Sequence, residues 1–291
     1  MLQILHITDS HIGETKREAV NLVKVVNYIM DHFFDDRDHT VIIHTGDVVD
    51  NGQKKEYAKA RKVLDRLYQH FRVWAVPGNH DYGWNGTHAQ SKRFQYFKSA
   101  LYGLENVTYP HIKQVNEHVF IGLNSMKAET DGWDGLLANG ELGSKQLKNL
   151  NGVLNQLDGR KKKVKVILHL HHHPFMYPDE KGIERFIEKQ THWLKDGKAL
   201  MSIIAGRVDV LLFGHDHRHL DFSKSLGKTY GIPLILAGGK CTEYKIEHKV
   251  DKNGKAMKEK ENNGQKGMMG RLIKIEGAGK PTAKTIVFDK K

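Results

Sequence analysis

Two kinds of hydrophobic run alternate along the chain. Leu2 to Ile7, Val41 to His44, Val73 to Val76, Val164 to Leu170 and Val208 to Phe213 are short, largely apolar and rich in β-branched residues, the pattern of strands buried on both faces of a sheet. Between them apolar residues recur at helical spacing. Ala19, Leu22, Val23, Val26, Ile29, Met30 and Phe33 share one helical face, and Thr15 followed by Glu18 makes a capping box at its start. Tyr57, Ala60, Val63, Leu64, Leu67 and Tyr68 predict a second helix, and Leu147, Leu150, Leu154 and Leu157 another with Ser144 as N-cap. Residues 180–206 read as helix in two pieces broken near Gly197. From Gly231 the pattern is β: Ile232 to Ala237, two arms around a polar loop, then Thr282 to Phe288. This βα rhythm predicts an α/β fold. With no internal repeat or interdomain linker, residues 1–291 read as one domain carrying a polar loop or hairpin arm at about 249–266.

Each of the five strand runs leads directly into a polar segment: Asp9-Ser10-His11, Gly46-Asp47-Val48-Val49-Asp50, Gly78-Asn79-His80-Asp81, His171-His172-His173-Pro174 and Gly214-His215-Asp216-His217. Strand ends in an α/β fold converge on one ligand site. Carboxylate, amide and imidazole donors gathered there suit two divalent transition ions without selecting among them. Gly46, Gly78 and Gly214 each stand immediately before a potential ligand, where a positive φ or a close backbone approach is expected.

Charge and cysteine content narrow the classes. The formal charge is +12, but fourteen Lys or Arg against seven Asp or Glu lie between Lys240 and Lys291. Much of that excess is in the polar loop, which reads as a solvated arm rather than a nucleic-acid track. Cys241 is the only cysteine, so an internal disulfide and a thiolate zinc cluster are excluded. It reads as a small buried or turn thiol. No apolar stretch approaches a membrane span, and the first strand run begins at Leu2 without a leader pattern ahead of it, which predicts a cytoplasmic protein without membrane association.

The five blocks, in order and spacing, resemble those of the calcineurin-like metallophosphoesterases. The resemblance implies a four-layer αββα sandwich with two mixed β-sheets and a dinuclear centre holding two divalent ions (Mn, Zn or Fe). It places Asp9, His11 and His217 on one metal and Asn79, His172 and His215 on the other, with Asp47 bridging through both carboxylate oxygens. A hydroxide shared by the metals would attack phosphorus in line. His80 would assist the leaving group as a catalytic residue, oriented by Asp81. His169, His171, His172 and His173 cannot all face one site. The family pattern puts the ligand two residues before a proline, which selects His172. His171 is then an outer or substrate-facing residue, and His169, like His6, His44 and His219, a satisfied structural histidine. Asp50 stands where the purple acid phosphatases carry a tyrosine, so no coloured iron–phenolate pair is expected, and Asp50 is left to orient a ligand or close its loop. Tyr82 and Trp84, with Asn79, His80 and His171, are candidate substrate contacts. Asn85, His88, Trp133 and Asp134 could complete an aromatic rim that stacks on a base or closes a lid.

The stretch from Gly46 to Tyr57 resembles the family's cyclic-nucleotide and glycerophosphodiester phosphodiesterases, which implies a small phosphate-ester substrate. The opening Ile4 to Gly13 also resembles its DNA-repair nucleases. A nuclease, a phosphomonoesterase and a catalytically silent scaffold therefore remain as alternatives.

Overall fold

In the computed structural model, all residues are described except 84–85, 104–105, 127–137, 177–192, 252, 254, 258–263 and 290–291. The first sheet has strand order β13-β12-β1-β2-β3. Its strands are β1 (Leu2–Ile7), β2 (Thr40–His44), β3 (Arg72–Ala75), β12 (Met269–Ile275) and β13 (Thr282–Val287). β1, β2 and β3 run parallel, and β12 lies antiparallel between β1 and β13. The second sheet, in order β4-β5-β6-β7-β9-β8, is built from β4 (His111–Val115), β5 (His118–Gly122), β6 (Val166–His169), β7 (Val210–Phe213), β8 (Leu220–Asp221) and β9 (Leu234–Ala237). β5, β6, β7 and β9 are parallel, with antiparallel β4 and β8 at the edges. A two-stranded ladder joins β10 (Lys245–Ile246) to β11 (Lys266–Gly267) at the base of the polar arm.

Strand periodicity explains the layering. Leu2, Ile4, Val41 and Ile43 meet Ile167, Val210, Leu212 and Leu236 between the sheets, whereas their neighbours Leu5, Ile7 and Ile42 face the other way. Those outer residues pack under α1 (Lys16–Phe33), α2 (Lys54–His70) and α3 (Ser91–Leu101). Val166, Leu168, Leu211 and Ile235 pack under α4 (Ser144–Leu157) and α5 (Gly197–Ile204); α6 (Gly227–Tyr230) is a single turn before β9. Each fully buried aliphatic side chain contributes about 1.5–3 kcal/mol. The result is the expected αββα sandwich with two mixed sheets.

Local differences have identifiable causes. The Thr15–Glu18 capping box is present, but Val23 is exposed and Val25 takes its place on the buried stripe of α1. Ser144 is the first helical residue of α4, not its cap. Gly143 occupies the cap, and the Asp196 carboxylate accepts from the backbone N–H of Leu142 and Gly143. The β4–β5 hairpin has weak apolar alternation and was not legible in the pattern. It turns through Asn116, whose φ of 52° is one that asparagine tolerates. The first predicted piece of helix in 180–206 falls largely outside the described residues, while α5 matches the second.

Candidate metal centre

The loops following β1, β2, β3, β6 and β7 meet at one end of the sandwich. They first extend the sheets beyond their regular strands: Asp9 N–H donates to Gly46 O and His11 N–H to Asp47 O, both at 3.0 Å, and Gly214 N–H to His171 O at 2.9 Å. They then bend sharply. Asp9, His11, Asp47, His215 and His217 all have φ between 45° and 78°, five of the seven described non-glycine residues in that region. Such strain persists only where surrounding structure enforces it, and it concentrates at functional sites. Gly46 has φ 96°. Gly78 and Gly214 are required by close approach instead, since an added Cβ would lie 2.2 Å from Asp47 Oδ1 and from Thr8 Oγ1 respectively.

Of three donor groups that could hold a metal among the described residues, one is His11, Asp50 and His80, and the other two meet at Asp47. Asp9, His11, Asp47 and His217 form one of these two and His171, His172 and His215 the other, with ligand atoms within 4.8 Å of one another in each. His11 Nε2 and His217 Nε2 are 2.9 Å apart, and His171 Nε2 lies 3.0 Å from Asn79 Oδ1, 3.1 Å from His215 Nδ1 and 3.2 Å from Asp47 Oδ2. Asp47 Oδ2 is also 3.7 Å from His11 Nε2, whereas Oδ1 accepts the backbone N–H of His80 at 2.9 Å. One oxygen of Asp47 therefore faces both groups. Asn79 donates its amide to Gly86 O, which turns Oδ1 toward His171. Asp9 accepts from Thr8 Oγ1 at 2.6 Å and from His215 N–H at 3.2 Å, joining the first sheet to the second.

The geometry selects among the crowded histidines. His171 donates Nδ1–H to Thr45 O at 2.7 Å, a bond that orients the ring and points its Nε2 at Asp47, Asn79 and His215. His172 belongs to the same imidazole group, but its Nδ1 is 2.7 Å from Ser125 Oγ and its Nε2 3.0 Å from Ala138 O. The structure therefore brings His171, three residues before Pro174, to Asn79 and Asp47, while both ring nitrogens of His172, the residue the family pattern selected, meet protein partners. Counting to a proline could not reveal which ring already had protein partners. Ser125 carried no sequence signal at all.

The two aspartates beside His80 are also reassigned. Asp81 does not meet the His80 ring. It accepts from the N–H groups of Gly78, Val48 and Val49 and from Tyr57 Oη at 2.9 Å, so it clamps the second and third loops together. The His80 ring instead uses Nδ1 toward Asp50 O at 2.8 Å, with Asp50 Oδ1 3.3 Å away. Asp50 Oδ1 is also 3.5 Å from His11 Nδ1. Asp50 therefore orients two imidazoles, as its position in the loop had allowed. Tyr82 is no rim residue: it is buried, stacks on Phe94 and accepts from Asn124 Nδ2. His88 is exposed beside Thr87. Trp84, Asn85, Trp133 and Asp134 lie outside the described residues.

Electrostatics favour cations here. Burial opposes charge on His11, yet its hydrogen bonds to Asp50 and Asp9 and the Asp47 carboxylate lift its pKa to about 10. His171 is likewise penalised by burial but raised to about 9, chiefly by Asp47. Burial would raise Asp9 and Asp47, but the surrounding imidazoles hold both below the usual carboxylate range. A field that retains protons on these rings is one that a divalent ion can satisfy in their place. By contrast, burial dominates at Asp81 and, with the Asp47 charge, pushes it up to about 6. Burial also pushes the Cys241 thiol up to about 12, consistent with an inert buried cysteine.

The family profile of the calcineurin-like phosphoesterases matches residues 2–219, three quarters of the chain, and includes all five loops. The chain belongs to the calcineurin-like phosphoesterase family. This phosphoesterase has no significant match among curated protein sequences. Its fold is similar to that of the purple acid phosphatase PPD1 from yellow lupin (Lupinus luteus), with TM-score 0.62 and 12% identity over 99% of this chain and 51% of that one. The chain thus spans about half the length of the lupin enzyme. GAP50, the anchor in the inner membrane complex of Plasmodium, has TM-score 0.60 and 13% identity over 99% of this chain and 85% of that one. The calcineurin-like phosphoesterase YfkN from Bacillus subtilis has TM-score 0.52 and 13% identity, covering 99% and 90%. At these identities the likeness is one of fold, and an enzyme and an anchor share it. Among the described residues, no helix is long and apolar enough to cross a membrane.

Proposed function

We propose that this phosphoesterase hydrolyses a small phosphodiester at a dinuclear metal centre. The observation that carries the reading is the single oxygen, Asp47 Oδ2, lying between a His11 side and a His171 side of one donor cluster. Asp9, His11 and His217 would hold one divalent ion, Asn79, His171 and His215 the other, and Asp47 both. Bound there, the two ions would supply Lewis-acid activation of water and neutralisation of phosphoryl charge. His80 stands at the cleft with Nδ1 engaged by Asp50, leaving Nε2 for a substrate oxygen. Burial lowers its pKa, but Asp47 and Asp50 outweigh this and raise it. That field favours the protonated ring, the form that can donate to a leaving group.

A small diester is favoured by the size and lining of the cleft. Its volume is about 280 Å³, and its described lining residues are Asp47, Asn79, His80, Ala138, His215, Asp216 and His217. Drug-sized ligands occupy about 300–1,000 Å³, and duplex binding relies on Lys or Arg to neutralise phosphates; neither is among the described lining residues of this cleft. The test is a screen of Mn- or Zn-loaded protein against monoesters, linear diesters, cyclic nucleotides and duplex DNA. Turnover of bis-p-nitrophenyl phosphate is expected, with a small diester exceeding duplex DNA in kcat/KM at physiological salt. Strong duplex-end cleavage with a steep salt slope would replace the reading with a nuclease, and activity confined to monoesters with a phosphatase.

A further inference from the structure

A second cleft lies away from the metal centre. It has a volume of about 710 Å³ and opens on the side of the sandwich where β3 and β4 are the edge strands of their sheets. Its walls combine cations with aromatic rings. Lys54 stands at the start of α2, Arg61 about two turns later, Arg72 on β3 and Lys113 on β4. No carboxylate is among its described lining residues. Asp65 pairs with Arg61 at 2.6 Å from outside the lining, and Ala100 O accepts from Arg61 Nη1. These contacts and the Tyr68 ring, 4.2 Å from the guanidinium carbon, hold Arg61 in place. Arg72 is fixed by Asp38 O at 2.7 Å. The Lys54 and Lys113 side chains have no hydrogen-bonding or ion-pair partner among the described residues.

The aromatic part is held as firmly. Trp74 packs edge-on against Phe120 at 4.7 Å, and Lys113 stands opposite Phe120 in the β4–β5 ladder. Cross-strand partners share a face of the sheet, so the Lys113 ammonium and the indole meet at the same open edge between the sheets. Tyr68 and Tyr96 add ring faces and hydroxyls. Among polar side chains in the lining, donors predominate: ammonium, guanidinium, indole N–H and phenol. A ligand that complements this wall carries several negative charges together with a flat, stackable ring.

We propose that this cleft binds a nucleoside phosphate at a site separate from the metal centre. The base would lie among Trp74, Tyr68 and Tyr96, and the phosphates would meet Arg72, Lys113 and Arg61, with Lys54 adding positive charge at the far end of the cleft. The cleft volume is in the range of sites that enclose a ligand of that size. Aromatic rings stack on bases without needing to read their edges, so selectivity among bases should be weak and dependence on phosphate number strong.

The test is calorimetric titration of the full chain, metal-loaded, with ADP, AMP, adenosine, inorganic phosphate, a short single-stranded oligonucleotide and a Glu-rich peptide. ADP is expected to bind saturably and more tightly than AMP, with adenosine and phosphate each at least tenfold weaker than ADP. Arg72→Gln combined with Lys113→Gln should weaken ADP at least tenfold and leave turnover of bis-p-nitrophenyl phosphate unchanged, while Asn79→Ala should leave ADP binding intact. Loss of ADP binding in Asn79→Ala but not in the double variant would put the nucleotide at the metal centre and overturn the proposal. Equal affinity for phosphate and ADP, absence of ADP binding, or binding of only the oligonucleotide or the peptide would overturn it as well. This test does not depend on which ester the metal centre hydrolyses.

Discussion

Asp50 and Asp81 flank His80 and differ in what they hold. Asp50 has both its carbonyl and its carboxylate at His80 and its carboxylate near His11, whereas Asp81 is spent on three backbone N–H groups and the Tyr57 hydroxyl. Asp50→Asn should therefore slow esters with poor leaving groups by about 10²-fold or more and activated aryl esters much less. A leaving-group series measures this, and a uniform loss would leave His80 with a positioning role only. Asp81→Asn should instead lower stability by about 1–3 kcal/mol by setting an amide against donors, visible as a shift in urea midpoint. His171 and His172 give a second contrast. His171→Ala should leave one ion per chain by elemental analysis, while His172→Ala should keep two with affinity reduced no more than about 100-fold. The opposite stoichiometries would return the ligand to His172.

At the scale of single strands, β1, β2 and β6 each bury a histidine that sequence reading expected to be satisfied. His6 and His44 bond Thr45 Oγ1 and Ser10 Oγ through Nε2, but Nδ1 of His6, His44 and His169 has no partner among the described residues. Burial drives all three pKa values down, to about 3, 4 and 3 respectively. Because the folded-state values lie below the unfolded one of about 6.5, the unfolded chain binds more protons as pH falls. Stability from these rings is complete above pH 6.5 and declines toward pH 4, by about 1.4 kcal/mol per pH unit for each ring. Urea denaturation in chelator between pH 7.5 and 4.5 should show this slope, and His169→Leu should reduce it by one proton. An unchanged slope would mean that His169 is already charged in the folded protein.

For the molecule as a whole, the donor cluster is a seam. Asp9, His11, Asp47 and Asn79 come from loops of the first sheet and His171, His215 and His217 from loops of the second. Ions held by both halves would bind the folded chain and not the unfolded one, and so would stabilise it, by about 2.7 kcal/mol at a free concentration one hundred times Kd. Removing metal should lower Tm, and restoring Mn or Zn should raise it with a saturation point of two ions per chain. A saturation point of one would argue for a mononuclear centre. This readout is independent of turnover.

The sequence by itself determined the central strands and most helices, though not the β4–β5 hairpin, because two-sided burial writes itself as apolar runs and one-sided burial as a helical stripe. It also marked Asp9, His11, Asp47, Asn79, His80, His215 and His217, since a strand end followed at once by hard donors has few other uses. What it could not supply was direction. Whether His171 or His172 turns inward depends on Thr45 O and Ser125 Oγ, and those partners arrive from strands far along the chain. Whether Asp50 or Asp81 orients His80 depends on where three loops cross. Short-range periodicity says which face a residue occupies; only packing between remote segments decides which of two adjacent polar side chains finds a protein partner and which is left for a metal.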